Sequence, residues 1–137
     1  MNLQTKKLSQ VSVGDALPEL KIPLTTSLIV GGALVSRDFT PVHHDKAVAQ
    51  ASGMPDVFMN ILTTNGLVNR YVTDWAGPDA RVQSVRIKLG TPNAPGDTMS
   101  FHGSVTSKEG DSVTVALAGK NSRGDHVTAS VRVTLPE

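Results

Sequence analysis

The 137-residue chain contains no cysteine, which excludes a disulfide scaffold, a thiolate nucleophile and a zinc–thiolate site. Aromatic residues are scarce: three Phe, one Tyr and one Trp. Any core must therefore be mostly aliphatic. An excess of one charge is missing too, since 13 Lys and Arg stand against 12 Asp and Glu. No basic block or aromatic-interleaved basic stripe is present, so nucleic acid is not expected as a partner. No apolar run approaches the roughly 20 residues of a membrane span, and the opening seven residues lack the apolar stretch of a signal peptide. These absences lead to the expectation of a soluble cytoplasmic protein without a membrane partner. A chain this long is expected to form a single domain, 1–137, burying roughly two-thirds of its unfolded surface.

What is present is a change of period along the chain. Residues 1–12 are polar and expected to fray. The segment Leu17-Pro18-Glu19-Leu20-Lys21-Ile22-Pro23 is too proline-rich for a central strand and reads as an extended lead-in. Thr25 to Val30 is β-branched and apolar, which predicts a strand, broken by Gly31-Gly32. Asp45 is placed to cap a short helix ending at Ala51, and Ser52-Gly53-Met54-Pro55-Asp56 is a stop-and-restart. Phe58, Ile61, Leu62, Leu67, Val68, Tyr71, Val72 and Trp75 then recur at helical spacing, ended by Gly77-Pro78. From Arg81 the period falls to two, with Val85, Ile87 and Leu89 alternating with Ser84, Arg86 and Lys88. Three further strands, about 98–107, 112–121 and 126–135, are separated by two short turns and imply an antiparallel meander. The predicted class is α+β.

Chemistry-bearing residues concentrate in Arg37-Asp38-Phe39-Thr40-Pro41-Val42-His43-His44-Asp45. Asp38 and His43 are separated by five positions. That spacing puts them about 140° apart on a helix and on opposite faces of a strand. Pro41 disfavours helix at Thr40 and fixes its own φ, so a turn is expected, and a turn is able to aim both side chains at one point. A carboxylate and an imidazole sharing one water form a general acid–base pair near neutral pH. The plainer reading treats these as ordinary turn and capping residues. A His-His-Asp metal site is disfavoured because adjacent ligands point apart, and no metal or cofactor is expected. His102 and His126 read as ordinary strand residues.

The run Asp38-x-Thr40-Pro41-Val42-His43 resembles the Asp-x-Asn-Pro-(Ile/Leu)-His signature of MaoC-like, (R)-specific enoyl-CoA hydratases. The order of segments agrees: Val13-Gly14-Asp15 before the signature, a long helix after it, then Pro95-Gly96-Asp97-Thr98. Within the family, Arg37-Asp38-Phe39, Val42-His43-His44-Asp45 and Arg70–Pro78 are most similar to the small MaoC-like subunit of actinobacterial steroid side-chain enoyl-CoA hydratases. The resemblance implies a hotdog fold, an antiparallel curved sheet wrapped around a long central helix. It implies that Asp38 and His43 hold a water and add it across the double bond of a trans-2-enoyl-CoA. It further implies an acyl-CoA thioester substrate and an oligomer, either a homodimer or a heteromer with a second MaoC-like chain. Two departures stand out. The family's asparagine is Thr40 here, and the His-Gly that many members carry at the start of the central helix is Met59-Asn60. Asn60 still offers a backbone N–H at a helix N-terminus for the thioester oxygen, so Asn60 and Thr40 are the expected substrate-binding residues. The missing His-Gly leaves open a non-catalytic partner subunit serving assembly or acyl binding. Thioester hydrolysis on the same fold ranks below both.

Overall fold

A computed structural model describes residues 3–137. Five strands form one antiparallel sheet in the order β1-β3-β4-β5-β2: β1 Ala16–Pro23, β2 Arg81–Leu89, β3 Thr98–Glu109, β4 Ser112–Asn121 and β5 Gly124–Thr134. Helices α1 (Thr26–Val35), α2 (Lys46–Ala51) and α3 (Ile61–Ala76) lie between β1 and β2 in the chain. The meander β3-β4-β5 follows the sequence pattern because its two connections, Gly110-Asp111 and Ser122-Arg123, are short hairpin turns. All four strand pairings contain a register shift. Such irregularities bend and twist a sheet, which allows it to curl around a helix.

The helix it curls around is α3. Leu67, Val68, Tyr71, Val72 and Trp75 are buried on it, in one apolar cluster with Met99, Phe101, Val105, Val115, Val127 and Val131 from the sheet. Tyr71 stacks on Phe101 with ring centroids 5.2 Å apart. Gly103 makes that approach possible, since a Cβ there would stand 3.2 Å from the Tyr71 ring and 2.9 Å from Leu117. Helix α3 ends where Gly77 adopts φ 95°, a conformation open to glycine at little cost. Its start differs from the periodicity: Asn60 is the cap, so Phe58 precedes the helix, and Ile61 and Leu62 are exposed.

Two further expectations are corrected. Thr25–Val30 is not a strand: Thr25 caps a helix through Leu28 N–H (3.0 Å), and α1 runs through Gly31-Gly32. Helix α1 is apolar on most sides, so it carries no helical stripe to read. Its conformation is set by tertiary packing, where Gly32 lies directly against Thr63 of α3 and leaves no room for a Cβ. The expected fraying of 1–12 does not describe the later part of that segment, while Met1 and Asn2 lie outside the described residues. Lys6 N–H donates to Ala76 O (2.8 Å) and Leu8 N–H to Pro136 O (2.7 Å). Leu8 and Val11 are buried, and the Lys108 ammonium donates to the carbonyls of both, at 2.7 and 2.9 Å. The proline-rich lead-in is strand β1, on the edge that proline requires.

Candidate active site

The turn expected around Pro41 has a specific construction. Helix α1 closes with Arg37 N–H donating to Leu34 O (3.0 Å) and Asp38 N–H to Ala33 O (2.9 Å). This is the Schellman arrangement, and the residue at its left-handed position is Arg37, at φ 56°. The chain reverses there. Thr40 then donates to Asp38 Oδ1 from its backbone N–H (3.2 Å) and its hydroxyl (2.7 Å). Pro41–His43 forms one 3₁₀ turn with proline at its first position, where a missing N–H costs nothing. His43 follows as a buried residue.

This path brings Asp38 and His43 together. Asp38 Oδ2 lies 3.3 Å from His43 Nε2. On the far side of the ring, Nδ1 is 2.6 Å from Phe58 O. A carbonyl only accepts, so Nδ1 carries a hydrogen and Nε2 is the nitrogen that takes up or releases a proton. The Phe58 ring meets the imidazole edge-on, with centroids 5.0 Å apart, which fixes the ring plane.

The head of α3 completes the site. Asn60 is buried; its amide nitrogen donates to Asp38 Oδ2 (3.0 Å) and Ser36 Oγ (2.9 Å), and its amide oxygen accepts from Thr63 N–H (3.0 Å). One side chain thus caps α3 and grips the carboxylate. The Thr40 hydroxyl and then the Asn60 amide hold the Asp38 carboxyl down at about 2, so it is ionised throughout the neutral range. Thr40 and Asn60 were expected at the substrate; their side chains are engaged with Asp38. The Asn60 backbone N–H makes no hydrogen bond among the described residues.

The remaining imidazoles separate. His44 is exposed and closes the 3₁₀ turn through its N–H to Pro41 O (3.0 Å). His102 is exposed and pairs across the sheet with Glu19, Nε2 to Oε1 3.4 Å. His126 corrects the reading of an ordinary strand residue, because it is buried and hydrogen-bonded at both nitrogens. Ser36 was not singled out in the sequence, and Phe58 was read only as part of the apolar helical stripe, not as a site residue. Nothing in their immediate neighbourhood marks them, because each acts across a long loop.

The family model for the MaoC like domain matches residues 10–125. Over 123 residues the chain is 50% identical to the 3-oxo-4,17-pregnadiene-20-carboxyl-CoA hydratase beta subunit of Mycobacterium tuberculosis, covering 90% of this chain and 95% of that one. Its structure is similar to the ChsH1-ChsH2 complex from Mycobacterium tuberculosis (TM-score 0.89, 49% identity), covering 90% of this chain and 98% of the matched chain. It is also similar to the R-hydratase PhaJ1 from Pseudomonas aeruginosa (TM-score 0.88) at 21% identity, covering 96% and 86% of the two chains. That second likeness concerns the fold alone.

Proposed function

This chain belongs to the MaoC-like domain family, and on that premise we propose that it hydrates a trans-2-enoyl-CoA to a 3-hydroxyacyl-CoA as one subunit of a heteromer with a second MaoC-like chain. The observation that carries this reading is the 3.3 Å approach of His43 Nε2 to Asp38 Oδ2, with Nδ1 held by Phe58 O. A water seated against both groups from one side, with the ring in its neutral Nδ1–H form, donates one hydrogen to the Asp38 carboxylate and the other to Nε2. His43 Nε2 takes a proton from that water as its oxygen bonds to C3 of the enoyl group. Asp38 orients the water and stabilises the imidazolium that results. The Nε2 proton is then delivered to C2, so the elements of one water are added and no further proton donor is required. This sequence makes His43 both base and acid, and Asp38 the group that orients and stabilises.

As C3 is attacked, negative charge builds on the thioester oxygen. The Asn60 N–H at the head of the 16-residue helix α3 supplies a donor, reinforced by the helix dipole. The Asn60 side chain is turned onto Ser36, Asp38 and Thr63.

The acyl group we assign is a steroid side chain, on the strength of the relative named for 3-oxo-4,17-pregnadiene-20-carboxyl-CoA. The surface beside the pair suits a bulky apolar group and a partner chain. Val35 and Phe39 flank Asp38 in sequence at 88% and 64% exposure, and Ile61 and Leu62 follow Asn60, each about half exposed. Large apolar side chains left exposed close in sequence to the pair and to the head of α3 mark a surface that something else covers. The matched complex of two differently named chains supports a heteromer. Among the described residues no helix is long and apolar enough to cross a membrane, and we assign the protein to the cytoplasm, with 1–137 as one domain.

A second reading, a non-catalytic partner subunit, is favoured by Met59-Asn60 standing where many members have His-Gly. One experiment separates the two. Asp38→Asn and His43→Gln are each assembled with the partner chain and assayed on a steroid trans-2-enoyl-CoA. Loss of roughly 10²–10⁴-fold in turnover is expected for each. Wild-type turnover in both variants rejects the proposal and leaves the partner-subunit reading.

A further inference from the structure

His126 lies on β5, 3% exposed. Its Nδ1 is 2.7 Å from Thr91 O, and its Nε2 is 2.8 Å from Thr64 Oγ1. The carbonyl can only accept, so Nδ1 carries the hydrogen, and Nε2 accepts from the Thr64 hydroxyl. Burial pushes the His126 pKa down, which favours this neutral form.

Thr64 is the first residue whose N–H closes a turn of α3, donating to Asn60 O at 3.2 Å. The same residue is thus tied to β5 by its side chain and to Asn60 by its backbone. On the other side of Asn60, Met59 N–H donates to Asn93 O at 3.0 Å. Asn93 is fully buried. The Asn121 amide donates to Asn93 Oδ1 (3.0 Å) and to Pro92 O (3.2 Å), bracing that loop from β4. The Met59–Asn60 segment is therefore gripped from both sides by one polar ring, buried at Thr64, His126 and Asn93 and half-buried at Asn121 and Thr91: Thr64 and His126 after it, Asn93 and Asn121 before it, with Thr91 O, which accepts from His126 Nδ1 and from the Asn121 amide (3.5 Å), joining the halves. That segment bears both the amide holding Asp38 and the N–H assigned to the thioester oxygen.

We propose that His126 is a positioning residue for the hydration: through the Thr64 hydroxyl it fixes the first turn of α3, and so aims Asn60 at Asp38 and at the substrate. It touches no reacting atom. The proposal rests on the hydratase reading for its effect on rate, and on geometry alone for its effect on Asp38. A closed ring of paired polar groups holds one arrangement, whereas leaving one buried member unpaired releases it. Small displacements of catalytic groups cost rate out of proportion to their size.

The test compares Thr64→Val, which keeps shape and loses the hydroxyl, with Thr64→Ser, which keeps the hydroxyl. His126→Leu and His126→Gln form a second pair, the glutamine retaining an acceptor and a donor. All are assembled with the partner chain and compared with wild type at matched folded fraction. Thr64→Val and His126→Leu are expected to lower kcat by ~10- to ~100-fold with little change in KM. Thr64→Ser should restore kcat. A purely structural role predicts lower stability with wild-type kcat and an unshifted Asp38 titration, and that result overturns the proposal. If His126→Leu fails to fold, Thr64→Val and Thr64→Ser decide. A carbon-13 titration of the Asp38 carboxylate in Thr64→Val needs no turnover. An unshifted titration overturns the proposal, and a raised one supports it even if wild type hydrates no enoyl-CoA, which would defeat the hydratase reading alone.

Discussion

The side-chain amide of Asn60 donates to Asp38 Oδ2 across 3.0 Å, joining the head of the central helix to a turn 22 residues earlier in the chain. This bond, together with the Thr40 hydroxyl and backbone N–H, holds the carboxylate ionised. Replacing the amide by a carboxylate isolates the first of them. Asn60→Asp keeps an N-cap oxygen for Thr63 but sets a second negative charge where Asp38 had a donor. The Asp38 pKa, held at about 2 against an ordinary 3.8, should rise, and turnover at neutral pH should fall. A depressed carboxylate contributes stability that is present above its ordinary pKa and lost as pH falls through its folded value. The variant should therefore be less stable than wild type from pH 5 upward, with the gap closing as pH approaches 2. Thermal melts across that range check it, and a gap that is constant with pH would contradict the assignment.

Arg37 occupies the left-handed position that ends α1, at φ 56°. An L-residue other than Gly, Asn or Asp pays roughly 1–2 kcal/mol there. Arg37→Gly is expected to stabilise the fold by up to about 1 kcal/mol, part of the strain relief being offset by the glycine's greater unfolded-state entropy. Arg37→Val should destabilise it. Urea unfolding measures both, and equal midpoints for the two variants would contradict strain at this position.

Thr63 Oγ1 is buried without a hydrogen-bond partner among the described residues, pressed against Gly32 of α1. A buried hydroxyl with no partner costs roughly 1–3 kcal/mol. Thr63→Val keeps the shape and removes the group, so a gain of about 1 kcal/mol is expected. Gly32→Ala should lose about 1–3 kcal/mol by overpacking at the same contact. Combined with Thr63→Ala, which removes the two atoms closest to the new methyl, it should recover part of that loss, as a double-mutant cycle would show.

This contact also explains what the sequence could not convey. The strands from β2 onward, the hairpin turns and the buried face of α3 are local patterns, legible because side-chain period and turn chemistry lie within a few residues. Helix α1 is β-branched and apolar on most sides, and the seat of Gly32 on Thr63, 31 positions on, is a contact no local pattern announces. Asp38 and His43 were legible as a pair because proline and the turn residues lie between them. The supports of that pair were not. Phe58 O, Ser36 and the buried His126 act through backbone groups or across 15 to 62 positions, and no spacing rule reaches that far. Asn60 was expected for its backbone, and the structure adds its side chain.

The single tyrosine gives a spectroscopic check on the core. Tyr71 is 3% exposed, stacked on Phe101 with its hydroxyl 3.5 Å from Leu17 O. Burial pushes its pKa up to about 12, with the Gly103 backbone opposing and Glu19 assisting. A raised pKa contributes stability that is complete below the unfolded value near 10 and is lost as pH rises through the folded value. Absorbance at the phenolate band should therefore show no ionisation through pH 10 while the fold persists. Above pH 11 the phenolate signal and the loss of secondary structure should appear together, because ionising the buried phenol favours the unfolded chain. Tyr71→Phe removes the group that titrates and should shift alkaline unfolding to higher pH. A tyrosine titrating near pH 10 in folded protein would show that the ring is not sealed between α3 and the sheet.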